Sequence, residues 1–156
     1  MIRSIAWLAG VLLAASPLAA QTVPQFAVDP SWPKALPNNW LLGQVAHIAV
    51  DSNDHVWVLQ RPRTLSEDEK GATLKPPRNK CCAPAPSVME FDADGNFVQG
   101  WGFPEVKPWV LNEHGILVDR KGSVWIAGND PNDSAIYKFS HDGKPLLTIG
   151  VAGPSA

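Results

Sequence analysis

Cysteine is almost missing from this sequence. Cys81 and Cys82 are the two it has, and because they are adjacent no framework of long-range disulfides can staple the chain. Basic stripes are missing too. The 13 Lys and Arg residues are scattered among 15 Asp and Glu, and a formal charge of -2 excludes nucleic acid or an anionic membrane surface as the main partner. No Cys-x-x-Cys, no phosphate-binding glycine loop and no nucleophile with a base at a diagnostic spacing is found, so no motif announces an enzyme class. Beyond residue 20, histidine is confined to His47, His55, His114 and His141, which bounds any imidazole metal site. Pro24, Pro30, Pro33 and Pro37 exclude a helix interior or a central strand from 23–39.

What is present starts with a leader. Arg3, the apolar run from Ile5 to Ala15, and Ser16-Pro17 followed by small residues form the three regions of a secretory signal peptide. Cleavage is expected near Ala20, which places the mature chain in the periplasm or outside the cell. The leader is too short for stable membrane insertion, which needs about 20 apolar residues. Residues 21–44 then read as a Pro/Trp-rich arm, with Phe26, Trp32 and Trp40 able to lie against the body of the protein.

Four short apolar runs fill 112–150: Gly115–Val118, Val124–Ala127, Ala135–Phe139 and Leu146–Ile149, with turn residues between them. They predict a four-stranded antiparallel unit. An earlier copy spans 45–102. Laying Asp51 on Asp119 matches Trp57 with Trp125, and laying Val88 on Ile136 matches Phe91 with Phe139 and Gly95 with Gly143. The first copy carries an inserted loop, 61–87, and without its excess the period is 48 residues. A period of this size with several strands per repeat points to a propeller or a related repeat architecture. On the strand after Asp51, Val56 and Val58 face one way and Trp57 and Leu59 the other. Both faces are apolar, as in a sheet held between neighbours. Residues 103–111 link the units and 151–156 form a tail.

The inserted loop is polar and proline-rich, and only Thr64 to Lys70 could form a helical turn behind a Ser or Thr cap. Its Cys81-Cys82 pair is open to three readings: a vicinal disulfide, a bond to another chain or redox partner, and a soft metal held with outside ligands. Asp92, Asp94 and Asn96 lack the spacing of a calcium loop and read as turn caps. His114, just before an apolar strand, is the candidate metal ligand, because a strand end leaves its ring near one mouth of a propeller. His47 is offset by one residue, with Ala46 in the matching place, so strand alternation predicts opposite faces for the two rings.

The pattern His114-Gly115-Ile116-Leu117-Val118-Asp119, Gly122-Ser123-Val124-Trp125-Ile126-Ala127, Ile136-Tyr137-Lys138-Phe139 and Asp142-Gly143-Lys144 resembles an NHL repeat. Residues 46–60 and 88–102 resemble a second. The resemblance implies an all-β chain of two antiparallel four-stranded blades, a partial six-bladed β-propeller of exported bacterial type. Two blades are about a third of such a ring, so the chain is expected to be a piece of a longer propeller or to complete one by self-association. A relative with defined chemistry, the peptidylglycine amidating lyase, uses zinc-binding histidines with an arginine and a tyrosine, and holds a structural calcium. The resemblance carries one of those histidines onto His114, meets Ala46 at the matching position of the other repeat, and gives no role to Arg61, Arg63 or Tyr137. Zinc or calcium is therefore the metal to look for. The functional expectation is a binding or scaffold module whose rim and Pro/Cys loop take a protein, peptide or small molecule. The alternative is a metal-dependent lyase or hydrolase that needs further blades.

Overall fold

The computed structural model describes residues 23–151 and 153, so the signal-peptide reading of 1–20 and cleavage near Ala20 lie outside the described residues. In chain order the strands are β1 (Trp40–Leu41), β2 (Gln44–Val50), β3 (Val56–Arg61), β4 (Ala83–Pro84) and β5 (Val88–Phe91), followed by β6 (Phe97–Trp101), β7 (Glu113–Val118), β8 (Val124–Gly128), β9 (Ala135–Phe139) and β10 (Pro145–Gly150). β2-β3-β5-β6 form one antiparallel sheet and β7-β8-β9-β10 a second, while β1 and β4 make a short parallel pair. The fold is all-β, with two repeated sheets that resemble propeller blades. Neither sheet closes into a barrel or ring among the described residues.

The repeat is physical as well as textual. Trp57 lies directly across from Glu90, and Trp125 lies directly across from Lys138, so matched residues occupy matched places in the two sheets. Their first turns are built alike. Asp51 Oδ1 accepts the backbone N–H groups of Asn53 and His55, and Asp119 Oδ1 those of Lys121 and Ser123. In each sheet the second carboxylate oxygen accepts the indole N–H of the matched tryptophan at 3.0 Å. An Asx turn thus fixes the hairpin and aims a large ring in one step.

Alternation then divides the apolar residues. Trp57, Leu59, Val88 and Trp101 face the second sheet and pack on its Ile116, Val124, Ile126, Tyr137 and Phe139. Each such side chain, once buried, stabilises by roughly 1.5–3 kcal/mol. Gly143 marks a close approach, with φ at +82° and a site where a β-carbon would press into the Trp101 ring. On the opposite side of the first sheet, Val58, Met89 and Phe91 are covered by Trp32, Leu36 and Trp40 of the arm. Phe26 departs from expectation, since it is 93 % exposed and covers nothing.

The connections segregate by length. Tight turns 51–55, 92–96, 119–123 and 140–144 lie at one end, and the insertion, the linker and the β8–β9 connection lie at the other. Within the insertion, Ser66 heads a single turn closed by Lys70 N–H, flanked by short 3-10 segments at Pro62–Thr64 and Gly71–Thr73. Cys81 and Cys82 bring their sulfurs together, with Cα atoms 3.1 Å apart.

One feature was invisible in the alternation pattern. The pairing of β2 with β3 skips between Val45 and His47, and that of β7 with β8 skips between Glu113 and Gly115. Ala46 and His114 are therefore the extra residues of matching bulges, which bend the strand and re-aim a side chain.

Candidate functional site

One group of converging polar side chains lies at the turn end, between the sheets. Asp51 comes from the β2–β3 turn, Glu90 from the middle of β5 and His141 from the β9–β10 turn, and their ligand atoms lie within 4.8 Å of one another. This is a candidate metal-binding cluster with zinc or calcium as its conceivable occupants.

Glu90 is its centre and is 1 % exposed. Its Oε1 lies 2.6 Å from His55 Nδ1, and its Oε2 lies 2.6 Å from Gln99 Nε2 and 3.4 Å from His141 Nε2. Gln99 Nε2 is also 2.7 Å from His141 Nδ1, and donation there leaves the proton of a neutral His141 on Nε2, facing Glu90. The His141 ring stands edge-on to Trp57 at 5.0 Å, so the second sheet caps a tryptophan of the first. The hydrogen bond to Glu90 raises the pKa of His55 against the opposing effect of burial, with the Glu90, Asp51 and Asp92 charges adding to it. Asp51 is held below the usual carboxylate range: burial opposes this, but the Trp57 indole and the Asn53 and His55 N–H groups outweigh it.

The second sheet shows what the first has given up. Opposite Trp125 stands Lys138, whose Nζ is 3.2 Å from Asp119 Oδ2 and 4.7 Å from the Trp125 ring centre. A cation thus lies against the carboxylate and over the face of the indole. In the first sheet that place is taken by Glu90, so two carboxylates converge where the other repeat has an ion pair. Like charges this close repel, and His55, Gln99 and His141 are the groups set against Glu90 to offset that.

The donor set is one imidazole nitrogen and two carboxylates, with the His55 imidazole in reach of Glu90. Calcium prefers an all-oxygen shell of six to eight ligands, whereas imidazole with carboxylate suits zinc. These residues therefore fit zinc better.

The intact pair in the second sheet supplies a pH test. Asp119 is held well below the ordinary carboxylate range by the Trp125 indole first and then by Ser123 N–H, against burial, with Lys121 N–H and Lys138 adding to it. A depressed carboxylate contributes stability that is complete above its unfolded value, near pH 3.9, and is lost as pH falls toward its folded value. Acid melts of the protein and of Asp119→Asn should accordingly differ by a constant amount above pH 5 and converge below pH 4. A difference independent of pH would remove the charge from the account.

His114, the ligand candidate read from the sequence, is exposed on β7 at the other end, and no cluster of three or more ligands gathers around it among the described residues. His47 is used differently: its Nδ1 accepts Ile116 N–H at 3.1 Å and ties β2 to β7. Arg61 and Arg63 serve a second buried centre. Arg63 Nη2 is 2.8 Å from Glu113 Oε2, Trp109 Nε1 is 2.8 Å from Glu113 Oε1, Ser87 Oγ donates to the same oxygen, and Arg61 Nε donates to the Glu113 carbonyl. Glu113 thereby pins the insertion and the linker to the second sheet. Beside it, Trp40, Arg63, Lys70, Pro84, Trp101 and Phe103 help to line a groove of about 730 Å³.

Sequence reading placed His141 and Asp51 in turns and saw no site in them. The signal that could have found them was the exchange of Glu90 for Lys138 at one repeat position inside an otherwise apolar strand. Comparison with known proteins adds no family: the chain matches no known family model, and no curated protein is similar to it.

Proposed function

We propose that this chain is an exported, NHL-type propeller segment that acts as a binding module and holds zinc between its two blades through Asp51, Glu90 and His141. The carrying observation is the replacement of a lysine by a buried glutamate. Glu90 faces Asp51 where Lys138 faces Asp119, and the second blade brings His141 to the same place. Zinc bound there staples one blade to the other, and the groove of about 730 Å³ beside the insertion is left as the ligand surface, as suits a module rather than a free-standing enzyme.

Zinc titration of the purified protein by calorimetry, with thermal melts in parallel, tests the reading. One equivalent should bind, and zinc at 100 times its dissociation constant should stabilise by about 2.7 kcal/mol. His141→Ala, at a side chain 49 % exposed, should weaken binding at least tenfold and cost the metal-free protein about 1 kcal/mol through its lost contact with Trp57. No heat and no shift in melting at millimolar zinc would end the proposal.

A second reading, a lyase or hydrolase of amidating-lyase type completed by further blades, rests on His114 as the extra residue of a bulge. Bulges gather next to active sites because they redirect side chains. His114→Ala separates the two readings: the module predicts unchanged zinc affinity, and the lyase predicts its loss.

A further inference from the structure

Gln99, on the edge strand β6, stands directly across from Glu90, and in the second sheet the residue directly across from Lys138 is Leu147. The amide therefore accompanies the carboxylate: where one repeat pairs Lys with Leu, the other pairs Glu with Gln. Gln99 Nε2 is 2.6 Å from Glu90 Oε2, 2.7 Å from His141 Nδ1 and 3.1 Å from the His141 carbonyl oxygen. A carboxylate oxygen accepts, so the amide atom that faces it is the nitrogen. Its two hydrogens go to the two nearer partners, and the Trp101 indole supplies the carbonyl oxygen with a donor at 3.1 Å. His141 Nδ1 is thus an acceptor, and the neutral ring carries its proton on Nε2.

Zinc asks for the opposite arrangement. His141 Nε2 and Glu90 Oε2 are 3.4 Å apart, and two ligands of a tetrahedral zinc, each about 2.1 Å from the metal, stand about 3.4 Å from each other. Those two atoms are already spaced to share one metal. Bonded to zinc, Nε2 holds no proton, and a neutral ring carries its proton on Nδ1. The proton balance is even, because Nε2 gives one to water and Nδ1 takes one up. Nδ1–H would then meet the Gln99 N–H groups, donor against donor. The amide must turn its oxygen to Nδ1 or withdraw, and either movement gives up its bond to Glu90.

We propose that Gln99 gates the zinc site: while the metal is absent its amide fills the hydrogen-bonding positions of Glu90 and His141, and zinc enters by displacing it. This rests on the zinc reading above and adds how the site is regulated. A hydrogen bond to a charged group accounts for about a tenfold factor or more in an equilibrium, and the parent loses that factor on taking up zinc. Gln99→Met, similar in length and without a donor, has no such bond to lose. Water can accept Nδ1–H in its place, since the His141 side chain is 49 % exposed. Gln99→Met should therefore bind zinc about tenfold more tightly than the parent. A residue that only supported the ligands would do the reverse, its loss weakening metal affinity by about 10–100-fold.

Two measurements on the full chain test the gate. Proton–nitrogen correlation spectra of the histidine rings in metal-free protein, at about pH 8, should find the His141 proton on Nε2 in the parent and a loss of that preference in Gln99→Met. Zinc titration by calorimetry should find the tighter binding. Far-UV circular dichroism establishes that the variant is folded; should Gln99→Met fail to fold, Gln99→Leu replaces it. A parent His141 with its proton on Nδ1 overturns the gate whatever zinc does, and so does equal or weaker zinc binding by the variant. If neither protein binds zinc while the spectra are as expected, it is the zinc reading that has failed and the gate falls with it.

Discussion

Exchanging Arg63 for methionine is expected to cost the fold about 2–3 kcal/mol. The methionine keeps an apolar stem near Phe103, over whose ring the guanidinium now lies at 4.5 Å, so lost packing is a small part of the effect. The large part is the Glu113 carboxylate, 0 % exposed, which would keep Trp109 and Ser87 as donors but lose its one cation. Arg63 is 34 % exposed, so water screens part of the loss, but an ion pair broken from its exposed side still leaves the buried charge uncompensated, whereas removing both charges costs much less. Urea unfolding of Arg63→Met, Glu113→Gln and the double variant should therefore show strong coupling, with the double variant recovering about half or more of the loss. Additive losses would mean that the two side chains act separately. Against a total stability of about 5–15 kcal/mol, the single change removes much of what holds the insertion and linker to the second sheet.

The second large effect comes from a matched pair. Trp57 and Trp125 occupy the same place in their sheets, and each donates its indole N–H to an aspartate at 3.0 Å. Trp57 is 0 % exposed between the sheets, and Trp125 lies on the face of the second sheet that the first does not cover. Trp57→Ala should cost about 3–5 kcal/mol, the range for truncating a buried aromatic. Trp125→Ala should cost about 1 kcal/mol, chiefly its hydrogen bond and its contact with Lys138. Chemical denaturation of the two variants side by side decides the matter. Equal losses would show that the hydrogen bond, common to both, matters more than the packing, which differs.

The same pair shows what a sequence can and cannot disclose. Aligning Asp51 with Asp119 predicted the register of two sheets, because a shared turn chemistry and period-two alternation are local properties of the chain. The coverage of each face is not local. Val58 and Met89 are hidden because Trp32 and Trp40 fold back on them, and Ile136 is exposed because no counterpart does so. The bulges at Ala46 and His114 escaped notice for a related reason: an unpaired residue has no required side chain, and alternation carries straight through it. Glu113 escaped because its partners stand 50 and 26 residues before it, in a loop whose composition suggested a ligand surface and gave no sign of a structural anchor. His141 was legible as a turn residue but not as a neighbour of Glu90, since that contact joins one sheet to the other.

The segregation of short turns and long connections has a consequence for how such a chain can change over generations. The insertion enters between β3 and β5, and still Trp57 meets Glu90 as Trp125 meets Lys138, with no slip in the central register. Length accumulates at one end without any effect on alignment at the other. That end is a place where new sequence can be tried and discarded, while the four aspartate- and serine-headed turns preserve the frame against which each trial is made.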